Sequence, residues 1–135
     1  MEIKRDVYLN RLIAREGNGF IKVITGIRRC GKSYLMNNIF YNHLLSNGIN
    51  ESNIIKFAFD SAEDLMQIDE DIIEISEQNR KVDPKKFMKY IAEKIDNGQK
   101  YYLLLDEVQL LGSFEAVLNG YMRKDNLDIY VTGSN

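Results

Sequence analysis

The amino-acid sequence predicts an α/β sandwich on a mostly parallel sheet, and three observations predict it. Four short apolar runs are spaced along the chain, amphipathic stretches separate them, and several runs are apolar on both faces. Strands buried beneath helices on both sides carry that pattern, whereas a sheet with one wet face alternates. The 135 residues suffice for one domain with a sizeable core and are too few for two comfortable ones.

Taken in order, Val7 to Ala14 predicts a short helix, with Gly17-Asn18-Gly19 as its turn into the sheet. The predicted strands are Phe20 to Thr25, Asn53 to Phe59, Tyr101 to Leu105 and Asp128 to Thr132, all rich in Ile, Val, Phe, Tyr and Leu. Leu35, Met36, Ile39, Phe40, His43 and Leu44 form one helical stripe after the first strand. Phe87, Tyr90, Ile91 and Ile95 form a second, with Asp83 as N-cap, Pro84 in the first turn and Asn97-Gly98 as its close. Phe114, Val117, Leu118, Tyr121 and Met122 form a third, with Ser113 as N-cap, and Leu65 to Ile75 is a weaker helical stretch. Strand and helix therefore alternate, the mark of a doubly wound architecture. The sequence stops at Asn135 directly after a strand, which predicts a fragment truncated after the fourth core strand.

A hydrophobic fraction of 44% and a charged fraction of 28% set disorder aside. The formal net charge of -2 argues against a broad nucleic-acid-binding face. Charge is uneven, because Phe57 to Asn79 holds no Lys or Arg but carries Asp60, Glu63, Asp64, Asp69, Glu70, Asp71, Glu74 and Glu77. The plain expectation for such a run is a solvated acidic helix face. A single cysteine forms no internal disulfide and fits a reducing cytoplasm. Met1-Glu2-Ile3-Lys4-Arg5-Asp6 has no apolar stretch behind its charges, so a secretory leader is not expected, and no apolar run reaches membrane-spanning length. No membrane partner is expected.

The chemistry concentrates at Gly26-Ile27-Arg28-Arg29-Cys30-Gly31-Lys32-Ser33, a full G-x-x-x-x-G-K-[ST] match between an apolar strand and an amphipathic helix. Glycines let the backbone curl until successive N–H groups face phosphate oxygens, and the following helix, beginning near Lys32, adds its positive end, so Gly26 to Tyr34 is the expected nucleotide-binding stretch. Lys32 sets an ammonium against the β- and γ-phosphates, and Ser33 offers a hydroxyl to Mg²⁺. Arg28 and Arg29, at the loop apex, face phosphate, a partner subunit or water; Cys30 reads as a small residue that fits the loop, and His43 as a packed histidine.

The third apolar run ends in Asp106-Glu107. In a parallel sheet the C-terminal strand ends line the ligand crevice, so this pair is expected beside the loop. Asp106 would hold Mg²⁺ through a bound water, and Glu107 would orient the attacking water. The last run ends Thr132-Gly133-Ser134-Asn135, where Asn135, then Ser134, is the candidate to sense the γ-phosphate or position water. Asp60, after the second run, borders the pocket or faces solvent.

These residues resemble the AAA+-type ATPases of bacteria and archaea, in particular the group whose ATPase domain precedes a poorly characterised C-terminal domain. The likeness rests on GIRRCGKS, the strand-end DEVQ of Asp106 to Gln109 and the terminal TGSN, together covering Phe20 to Asn135. It implies a P-loop NTPase three-layer sandwich with the last strand between the first and third. It also implies ATP and Mg²⁺ as ligands, and roles for Lys32, Ser33, Asp106, Glu107 and Asn135. Residues 1–135 would be the N-terminal part of the ATPase domain, with the lid and the γ-phosphate arginines beyond it. The protein or nucleic-acid partner would be engaged through that further region, which leaves room for a homo-oligomer in the full-length protein. ATP binding and hydrolysis would then remodel or switch that partner.

Three other functions compete. A small-molecule phosphotransferase needs arginine-bearing lids and usually lacks an adjacent Asp-Glu pair. A GTP switch needs D-x-x-G and N-K-x-D, whereas Asp106 is followed by Glu107, Val108 and Gln109. A scaffold that keeps nucleotide for stability alone would never release phosphate.

Overall fold

The computed structural model describes residues 10–11, 13–24, 29–96 and 98–133. Four strands form one sheet: β1 (Lys22–Ile24), β2 (Ile54–Ala58), β3 (Tyr101–Asp106) and β4 (Leu127–Thr132). Their order is β1-β4-β3-β2, and every pairing is parallel. The last strand thus lies between the first and third, as the resemblance implies.

Side chains alternate along these strands and split the core into two clusters. Ile55, Phe57, Tyr101, Leu103, Leu105, Leu127, Ile129 and Val131 face one way. Ile24, Ile54, Tyr102, Leu104 and Tyr130 face the other. This second face is covered by one contiguous helical run, α1, made of Arg29–Tyr34, a π-helical Leu35–Phe40 and Tyr41–Ser46. Leu35, Met36, Phe40 and Leu44 of the predicted stripe are fully buried, and Ile39 and His43 are half-buried. The first face takes α2 (Ala62–Met66), α3 (Ile72–Gln78), α4 (Pro84–Lys94) and α5 (Phe114–Met122). The three-layer sandwich is therefore present.

Several local expectations hold in detail and several need correction. Asp83 caps α4 by accepting from the Lys85 N–H, with Pro84 at the first helical position. Asn97 of its predicted close lies outside the described residues. Ser113 stands at the N-cap position of α5 but makes no capping side-chain hydrogen bond, because its backbone is left-handed at φ 51°. The single helix predicted from Leu65 to Ile75 is two, each with its own cap at Ser61 and Asp71, separated where Asp69 turns left-handed at φ 58°. The first strand is shorter than predicted: Phe20 sends its N–H to Asn18 Oδ1 at 3.0 Å, an Asx turn that ends before Lys22. Thr25 lies outside the described residues, as do 7–9 and 12 of the predicted leading helix, of which 10, 11, 13 and 14 are helical.

The acidic run is not uniformly solvated. Glu70 is buried, and its carboxylate accepts from Arg80 Nη1 and Nη2 at 2.9 and 3.0 Å and from the Asp83 N–H at 2.9 Å. The Arg80 guanidinium holds the Glu70 carboxyl down to about 2. Asp64 likewise turns inward, accepting from the Ala58 N–H at 2.9 Å. Among the described residues no helix is long and apolar enough to cross a membrane.

Candidate functional site

The C-terminal ends of β1, β4 and β3 are adjacent, with Ile24 in register with Thr132 and Leu105 with Val131. The carboxyl ends of adjacent parallel strands are where such sheets bind ligands. α1 begins at Arg29, three residues before Lys32 and earlier than expected, so Lys32 and Ser33 stand on its first turn and a half.

Lys32 is buried, and its ammonium donates to the Gly133 carbonyl at 2.9 Å. Ser33 donates its hydroxyl to Asp106 Oδ1 at 2.9 Å, across 73 positions of sequence. Thr132 also donates to Asp106 Oδ1, and Asn37, in the π-helical stretch, reaches Oδ2 at 3.5 Å. Residues 32, 33, 106 and 132–133 therefore meet at one side of the sheet.

Glu107 follows Asp106 in a left-handed backbone conformation, φ 56°, and is buried. Its N–H donates to Thr132 Oγ1 at 3.0 Å, so Thr132 accepts from one member of the acidic pair and donates to the other. Gln109 Nε2 donates to Glu107 Oε1 at 2.8 Å. A Cβ on Gly133 would meet Gln109 Oε1 at 2.9 Å, so the amide lies directly over this glycine and would have to shift for a larger residue.

Of the other sequence candidates, Gly31 and Tyr34 lie on the first turns of α1, half-buried and exposed respectively. Arg29 and Cys30 are helical in backbone. Gly26, Ile27, Arg28, Ser134 and Asn135 lie outside the described residues. Asp60 is exposed, on the turn after β2. His43 is remote from the crevice on the last turns of α1, with its Nε2 3.1 Å from Glu16 Oε1 and its ring stacked on Phe40. Thr132, Asn37, Gln109 and Gly133 were not singled out as site residues by sequence. For Thr132 and Gln109 a signal existed, since both stand inside the TGSN and DEVQ stretches that carry the resemblance.

The donor set suits a hard cation. Ser33 hydroxyl and Asp106 carboxylate are oxygen donors in contact, and Mg²⁺ is usually held by one or two carboxylates while substrate phosphates complete its shell. Among the described residues no cluster of three or more His, Cys, Asp or Glu forms a self-sufficient metal site.

The model of a family described as "AAA domain" matches residues 18–135. An uncharacterized protein of Haemophilus influenzae (strain ATCC 51907 / DSM 11121 / KW20 / Rd) is 34% identical over 134 residues, covering 98% of this chain. This chain spans 30% of that relative's length. Among solved structures, "Structure of Drosophila ORC bound to DNA" is similar at 10% identity and a TM-score of 0.48, covering 98% of this chain and 77% of that one.

Proposed function

We propose, on the premise that this chain belongs to the AAA domain family of AAA+-type P-loop ATPases, that it binds ATP with Mg²⁺ and hydrolyses it to remodel or switch a partner. Family membership makes the chain a nucleotide-binding, ATPase-like core; the ligands, the roles and the coupling to a partner are our reading. The observation that carries it is the 2.9 Å contact between Ser33 Oγ and Asp106 Oδ1, with Lys32 on the same crevice wall.

In this reading the Lys32 ammonium leaves the Gly133 carbonyl for the β- and γ-phosphate oxygens, while amides of residues 26–31 and the turn through Tyr34 enclose the phosphates. Ser33 and Asp106 would hold Mg²⁺. When bound, the ion neutralises charge shared by the β- and γ-phosphates. Glu107 orients the attacking water, for which a carboxylate must lie within one hydrogen bond of it. Asn135, just beyond Gly133, senses the γ-phosphate.

We read the 135 residues as the N-terminal part of the ATPase domain; they span 30% of the relative's length. A transition-state arginine supplied from outside them would raise turnover by about 10³ to 10⁵. The test is Glu107→Gln in the full-length protein. It should abolish phosphate release while ATP still raises the melting temperature, as any ligand of the folded state alone must. Undiminished phosphate release would remove Glu107 from the mechanism, and no thermal shift with ATP–Mg²⁺ in the parent protein would remove the nucleotide.

A further inference from the structure

We propose that Gln109 is the positioning residue of the Glu107 carboxylate, a role that rests on the reading of Glu107 as the group orienting the attacking water. Two rotatable bonds and a carboxyl torsion lie between the Glu107 backbone and its oxygens, so the plane of the group is set by what its oxygens touch. The 2.8 Å bond from Gln109 Nε2 to Oε1 defines it: fixing one oxygen fixes where the other points. General bases are commonly set this way, by a third group that holds the base in its working orientation.

The amide that does the holding lies against one neighbour, and the backbone that carries it is held from two sides. It rests over Gly133, where a Cβ would stand 2.9 Å from Gln109 Oε1. Its backbone belongs to the single 3-10 turn Val108–Leu110, closed by Leu110 N–H to Glu107 carbonyl at 3.1 Å. A strap from residues 80–82 pins that turn from outside. Lys81 Nζ donates to the Gln109 carbonyl at 2.9 Å, Val82 N–H to the Leu110 carbonyl at 2.9 Å, and Gly112 N–H to the Val82 carbonyl at 2.9 Å. Gly112 permits the close approach, since a Cβ there would stand 3.0 Å from the Val82 carbonyl oxygen. The strap begins at Arg80, gripped by buried Glu70. A donor carried on so fixed a turn is preorganised, which is what a positioning group needs.

The experiment compares Gln109→Leu and Gln109→Glu with the parent full-length chain in steady-state ATP hydrolysis, with one spectroscopic measurement without nucleotide. Gln109→Leu should lower kcat by about 10-fold or more, in the range typical of lost orienting partners, with KM for ATP little changed. Gln109→Glu should be impaired at neutral pH and recover relative to the parent as pH is lowered, because a carboxylic acid donates where a carboxylate does not. An unchanged or increased kcat, or a loss confined to KM, overturns the proposal. In ¹⁵N-labelled protein the Gln109 side-chain amide resonances should move on Glu107→Gln, which removes the charged acceptor; unmoved resonances overturn the pairing even if turnover is too slow to measure. Failure of the parent reading has a separate signature, namely Glu107→Gln hydrolysing ATP at the parent rate.

Discussion

The two ends of the sheet each hold a buried aspartate, and the two are held in opposite ways. At the N-terminal strand ends, Asp128 is paired with the buried ammonium of Lys22, and also accepts from Tyr130 OH at 2.8 Å and Gly17 N–H at 3.0 Å. Burial first, and then that carboxylate, push the Tyr130 hydroxyl above the ordinary tyrosine range, so it stays a donor. At the C-terminal ends, Asp106 receives only neutral donors among the described residues: Ser33, Thr132 and Asn37. The lysine next to Ser33 turns instead to a carbonyl. An acid neutralised in place is a structural fixture whose charge is spent within the fold. An acid surrounded by hydroxyl and amide donors retains its field, and that field is what draws a cation.

The contrast breaks most plainly at Asp128. Asp128→Asn leaves the Lys22 charge buried and unpaired, so urea unfolding should show a loss of about 3 to 5 kcal/mol. Asp106→Asn strands no cation and should change stability by less than about 1 kcal/mol, while abolishing the thermal shift with ATP–Mg²⁺. Equal losses at both ends would erase the distinction. Glu70 extends it to a third buried acid, neutralised like Asp128: Glu70→Gln should cost about 2 kcal/mol, the scale of hydrogen bonds to charged groups. Its pH dependence has a definite sign. The Arg80 bonds lower the folded carboxyl from 4.5 to about 2, so its stabilisation is present above pH 4.5 and drains away as pH falls towards 2. Acid unfolding of Glu70→Gln should therefore be flatter through that window. The smallest effect is expected at Tyr121, whose buried hydroxyl has no partner among the described residues. Tyr121→Phe should be neutral or stabilising by up to about 1 kcal/mol. Burial raises this hydroxyl from 10.0 to about 12, so above pH 10 the unfolded chain ionises first and the parent loses stability that the Phe variant keeps.

What was legible in the sequence followed from period and spelling. The burial of Tyr101 to Leu105 on both faces of the sheet, and the stripe from Leu35 to Leu44, are local patterns that survive folding unchanged. Ser33 and Asp106 could be paired in advance only because each stands at a fixed offset in a motif whose purpose requires contact. Glu70 had no such marker. Its neighbours in sequence are acids, and the guanidinium that buries it arrives from ten residues on, after a helix whose end no periodicity announces. Ser113 had the right identity for a cap, and its backbone defeated the expectation. The Gln109 contact was hidden for a related reason. It needs the left-handed Glu107 to turn the chain back on itself, and a glutamate gives no hint of that conformation.

That turn has an evolutionary edge to it. A non-glycine residue held left-handed gives up about 1 kcal/mol that glycine would not. Glu107→Gly would recover that cost but lose the bond that Gln109 donates to the carboxylate, so a laboratory selection for heat resistance alone would be pulled both ways here. At this one position, the backbone angle and the side chain ask for different residues.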